Sequence, residues 1–102
     1  MATSATLLDA STSTSETSRV YLDPGVYLFT LETANASASV TLRRYQNESG
    51  GTGMSLEEDG SAIALTPTVN AKKVVVSGEY YTAENADGSS AATVKARQVD
   101  RV

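Results

Sequence analysis

The chain has no cysteine, no histidine and no tryptophan. Without Cys and His there is no disulfide, thiol nucleophile, imidazole base or haem ligand, and the usual zinc donor sets are missing. Acid–base chemistry would fall to carboxylates, lysine or tyrosine. Positive charge is also scarce: 8 Lys+Arg stand against 12 Asp+Glu, for a net charge of −4. Nucleic-acid binders normally present a basic face, so that partner class is not expected. No window approaches the roughly 20 apolar residues of a membrane helix. Met1 to Ala10 lacks the positive start and apolar run of a signal peptide. At 102 residues the chain suits one domain with one modest core. No cofactor and no metal are expected.

Small residues fill the space the missing types leave: 13 Ser, 13 Thr and 14 Ala. Apolar periodicity then decides the fold class. Val20-Tyr21-Leu22 and Val26 to Glu32 are dense in apolar and aromatic residues around Asp23-Pro24-Gly25, a sequence suited to reversing the chain. Ala38 to Tyr45 alternates with period two, setting Ala38, Val40 and Leu42 on one face and Thr41, Arg43 and Tyr45 on the other. Gln46 to Gly53 is a polar glycine-rich loop, followed by a short strand near Met54 to Glu57. Asp59-Gly60 suits a tight hairpin, and Ile63 and Leu65 alternate after it. Lys72 to Tyr81 reads as one long strand with a bulge at Gly78, and Ala91 to Val99 closes the chain with Val94 and Ala96 on one face. About eight strands with turn signals between them predict an all-β, two-sheet antiparallel β-sandwich, jelly-roll or Ig-like.

Ser11 to Ser18 reads as a polar flexible linker. It would join an N-terminal arm, residues 1–18 in all, to a sandwich domain over residues 19–102. Leu7 and Leu8 need burial, either on a neighbouring subunit that the arm reaches or as a first strand of the chain's own domain. The carboxylate run Glu57-Glu58-Asp59 lacks the alternating ligands and glycine of a calcium loop, and a solvated turn accounts for it. As a glycosidase pair it would be the only candidate for catalysis, and no enzyme is expected. Arg43-Arg44 and Lys72-Lys73 would form a positive patch if their strands were neighbours. By parity Tyr45 and one of Tyr80 and Tyr81 point away from the core, where tyrosine suits a protein interface. A sugar-binding module would use the same tyrosines as its platform.

The order of these segments resembles a known group. A Ser/Thr-rich leader comes first, then Val20-Tyr21-Leu22-Asp23-Pro24-Gly25-Val26-Tyr27 and the strand Ser39 to Arg44. A glycine-rich loop, Gly60 to Leu65, and Val74 to Tyr81 follow. Over residues 17 to 99 this layout resembles the small all-β accessory proteins of tailed-bacteriophage virions, the capsid decoration (cement) and head-fibre proteins. The resemblance implies a non-enzymatic protein, made in the host cytoplasm, that sits on the outer capsid surface as a dimer or trimer. Its partner would be the major capsid protein, which it would stabilise; neck, tail and fibre positions are the alternatives. The residues expected at the contact are Leu7 and Leu8 in the arm, then Arg43, Tyr45 and Tyr81 on exposed strand faces.

Overall fold

A computed structural model describes residues 4–34, 36–51, 53–55, 57–58, 61–86, 88 and 91–100. The strands run β1 (Ser4–Ser11), β2 (Val20–Leu22), β3 (Gly25–Thr33), β4 (Val40–Tyr45), β5 (Met54–Ser55), β6 (Glu57–Glu58), β7 (Ser61–Ala62), β8 (Ala64–Leu65), β9 (Ala71–Val76), β10 (Glu79–Asn85) and β11 (Ala92–Asp100). They build an all-β sandwich of two antiparallel sheets. The first has the order β1-β11-β3-β9 and the second β2-β10-β4-β5, with β8 also on β4. Strands β5 and β8 share one edge of β4: Met54 and Ser55 oppose Arg44 and Arg43, while Ala64 and Leu65 oppose Thr41 and Val40. They are two halves of one strand, interrupted by the β6–β7 ribbon, in which Glu57 opposes Ala62 and Glu58 opposes Ser61.

Counted that way there are eight principal strands, and nearly every connection crosses from one sheet to the other. That is jelly-roll order, not the Ig arrangement, in which successive strands more often share a sheet. Two of these crossings fall at corners that differ from the sequence expectation. Asp23-Pro24-Gly25 does not close a hairpin: β2 pairs with β10 and β3 with β9 and β11. At Gly25 a side chain would overlap the Gln98 amide, which donates a 3.2 Å hydrogen bond to the Pro24 carbonyl. Lys72 to Tyr81 is likewise not one strand. Ser77-Gly78, with Gly78 at φ +88°, ends β9 in the first sheet and starts β10 in the second. A positive φ of that size is a turn glycine's conformation rather than a strand's.

The inner faces interlock around Leu22, Tyr27, Phe29, Val40, Leu42, Leu65, Val76, Tyr81 and Val94, each at most 1% exposed. Each such side chain contributes about 1.5–3 kcal/mol relative to exposure. Phe29 of the first sheet meets Tyr81 of the second at 5.7 Å between ring centroids. The N-terminal segment is part of this core, so the expected division at residue 18 does not hold. Strand β1 pairs with β11, and Leu7 and Leu8 join the core cluster. Adjacent strand residues ordinarily face opposite ways. Here a register shift between Thr6 and Leu8 makes Leu7 an extra residue, opposing no partner on β11, and both leucines turn inward.

Candidate interaction surfaces

Each sheet has an outer face, and the two differ in how their polar groups are used. On the second sheet the register sets Tyr21, Tyr80 and Tyr45 in one row across β2, β10 and β4, with Thr82 opposite Arg43 and Glu84 opposite Thr41. Tyr21 and Tyr80 meet edge to face, 5.3 Å between centroids. The segment leading into β2 folds against this face. The Thr17 N–H donates to the Ala83 carbonyl at 3.0 Å, and the Ala83 N–H donates to Thr17 Oγ1 at 3.0 Å. Glu16 Oε2 accepts from both Tyr45 and Thr82 hydroxyls at 2.5 Å. The Arg19 guanidinium lies 3.6 Å from the centroid of the Tyr45 ring and donates to the Asn47 and Gly50 carbonyls at 2.9 and 2.7 Å. What reads as a linker therefore ends in a polar clasp.

The electrostatics follow from that packing. Burial raises the Glu16 carboxyl, but the hydrogen bonds from Thr82 and Tyr45 and the charges of Arg43 and Arg19 outweigh it, leaving it below the usual carboxylate range. The hydrogen bond to Glu16, then burial, raises the Tyr45 hydroxyl. Arg43 donates to Glu84 Oε1 at 2.7 Å, so its charge is compensated on this face.

Most residues expected at a contact lie elsewhere than expected. Leu7 and Leu8 are core, 7% and 4% exposed, because of the β1 bulge. Tyr81 is fully buried; it faces inward with Arg44 and Glu79, and its hydroxyl donates to Glu79 Oε1 at 3.0 Å. Burial, then the charge of Glu79, pushes that hydroxyl well above the usual tyrosine value. Tyr80, not Tyr81, is the outward member of the pair. Tyr45 does lie on the outer face, yet it is only 8% exposed beneath Arg19 and against Gly53, where any side chain would overlap its ring. Arg43 and Arg44 point to opposite faces, and Arg44 lies 3.6 Å from the buried Glu79. The positive patch from Arg43-Arg44 and Lys72-Lys73 does not form, because β4 and β9 belong to different sheets. The side chains of Glu57, Glu58 and Asp59 lie outside the described residues.

The outer face of the first sheet is built differently. Leu28 on β3 opposes Lys73 of β9 on one side and Arg97 of β11 on the other; Thr30 opposes Ala71 and Lys95, and Lys95 opposes Thr6 of β1. Lys73, Lys95 and Arg97 thus share one face, all exposed. Among the described residues none of the three has a hydrogen-bond or ion-pair partner, in contrast to Arg19, Arg43 and Arg44. Ser4, Thr6, Leu28, Thr30, Lys95 and Arg97 line a shallow pocket of about 500 Å³ there. Val75, 59% exposed, opposes Val26 and extends the apolar floor past Leu28. Glu32 and Asp100 stand at the two ends of the face. Lys95 and Arg97 share this face by their spacing on β11, but only the pairing of β11, β3 and β9 brings Leu28 and Lys73 beside them.

The chain is thus an eight-stranded jelly roll with one clasped and one open sheet face. Comparison with known proteins found no matching family model, no matching curated protein and no matching solved structure.

Proposed function

We propose that this protein is a non-enzymatic structural component of a bacteriophage particle, a capsid decoration protein that binds the outer shell and stabilises it. Its partner is the major capsid protein, and it acts as a dimer or trimer. The observation that carries this reading is the open sheet face, where three cations with no side-chain partner among the described residues stand beside apolar side chains on a molecule of net charge −4. Such a mixture suits a protein surface better than a uniform polyanion. The resemblance in segment order supports the virion assignment, and the jelly roll is compatible with it, although a fold alone does not define function. Many weakly bound copies stabilise a shell, because each one bound favours the assembled state.

The test is copy number in the native particle, by quantitative mass spectrometry, beside light scattering of the free protein. Hundreds of copies and a dimer or trimer in solution are expected. A few copies would move the protein to a neck, tail or fibre position, and absence from every particle would overturn the reading. A sugar-binding module is the second reading. The Tyr21–Tyr80 pair favours it, since Tyr21 is 40% exposed at the edge of the second sheet.

A further inference from the structure

We propose that the outer face of the β1-β11-β3-β9 sheet binds an extended acidic segment of a protein partner, laid along β11 with the pattern acidic–x–acidic–x–apolar. The inference rests on reading the chain as a protein-binding module and names the partner's chemistry. Lys95 and Arg97 are two residues apart on β11, so their Cα atoms are about 6.7 Å apart, the spacing of alternate residues on any extended strand. An extended segment packed over β11 therefore sets two alternate carboxylates opposite the two cations. Lys73 flanks the same row from β9, about 10 Å across the sheet from Arg97 with Leu28 between them. Two residues further along the face, Val26 and Val75 supply an apolar seat for the next inward side chain.

Charge disposition selects this occupant over a nucleic acid or acidic polysaccharide. Glu32 and Asp100 bound the patch at both ends. A uniform polyanion long enough to gain by release of its counterions runs onto one carboxylate or the other. A short segment sets its two acids on the Lys95 and Arg97 rows between them, and its third inward side chain, level with Asp100, Val26 and Val75, is uncharged and so meets no repulsion there. At physiological salt the screening length is about 8 Å, so the three local cations outweigh the distant net negative charge.

Fluorescence anisotropy with a labelled synthetic peptide containing Asp-Thr-Asp-Thr-Val tests the proposal. The controls are a peptide of the same composition with adjacent acids, a heparin fragment and an oligothymidylate. The patterned peptide is expected to bind saturably. The Lys95→Glu/Arg97→Glu variant should weaken binding at least tenfold and Lys73→Glu several-fold, each with an unchanged circular dichroism spectrum. The outward, solvent-exposed placement of these side chains lets the variants fold. Equal binding of the rearranged peptide, tighter binding of heparin or oligothymidylate, or no saturable binding up to about 1 mM peptide overturns the proposal. Particle attachment of the same variants is scored separately. Peptide binding by a protein found in no particle upholds the proposal and removes the capsid reading. A variant that loses the peptide yet still decorates particles upholds the peptide site and shows that the shell contact lies elsewhere on the molecule.

Discussion

At the scale of single residues, the side chains that matter on the second sheet's outer face are those that close it. Glu16 is on the surface, yet it receives two hydroxyl hydrogen bonds and lies among Arg19 and Arg43. Thr82 is 1% exposed, so removing Glu16 deprives a buried hydroxyl of its acceptor. That loss costs more than an ordinary surface ion pair does. Glu16→Ala is expected to destabilise the fold by about 1–2 kcal/mol, read as a lower urea midpoint at unchanged slope. In a double-mutant cycle with Tyr45→Phe the coupling should be about 1 kcal/mol. Additive effects of the two substitutions would show that the clasp is incidental. The same logic explains why Tyr45 makes a poor contact residue despite its outward parity: its ring face is already occupied by Arg19.

At the scale of elements, β1 decides what the N-terminus is. Strand β1 contributes Leu7 and Leu8 to the core and covers β11. Their burial is worth about 3–6 kcal/mol together, a large part of the 5–15 kcal/mol typical of a domain. A chain beginning at Thr12 is therefore expected to melt more than about 12 °C lower or not to fold, as followed by circular dichroism. An unchanged midpoint would show that β1 is a removable arm after all. Deleting this segment cannot separate docking from folding, which makes the point variants on β11 the better probe of attachment. Much of the element pattern is legible in the sequence, because period-two alternation is local: Val40 and Leu42, or Val94 and Ala96, announce their inner face within a few residues. Sheet membership is not local. Asp23-Pro24-Gly25 and Ser77-Gly78 have the composition of hairpin turns and bulges, and only long-range pairing makes them corners between sheets. Leu7-Leu8 leaves the N-terminus open to two readings because the extra residue of a bulge is invisible without its partner strand. The cation patch is partly hidden for the same reason: Lys95 and Arg97 share a face by their spacing, but Lys73 joins them only across β3.

At the scale of the whole molecule, charge and burial set the pH range in which the fold persists. With no histidine, nothing in this chain has the ordinary imidazole value near neutrality, and the edges of stability come from carboxylates and tyrosines. The Glu16 carboxyl is held below its ordinary value in the fold. The folded state thus favours its ionised form, and that stabilisation is present above about pH 4.3 and is lost as pH falls further. Tyr27, Tyr45 and Tyr81 shift the other way. Burial leads for Tyr27 and Tyr81, and the hydrogen bond to Glu16 leads for Tyr45; all three hydroxyls are raised. Their protonated forms are favoured by folding, so this stabilisation is complete below about pH 10 and declines above it, where the unfolded chain ionises more readily. Denaturant midpoints measured against pH should therefore be flat through neutrality, fall on the acid side and fall again on the alkaline side. Tyr81→Phe, which removes the most buried of the three hydroxyls, should make the alkaline decline shallower while leaving the acid limb in place. An alkaline limb unchanged by Tyr81→Phe would mean that Tyr27, Tyr45 or general charge repulsion, rather than the Tyr81 hydroxyl, governs that edge.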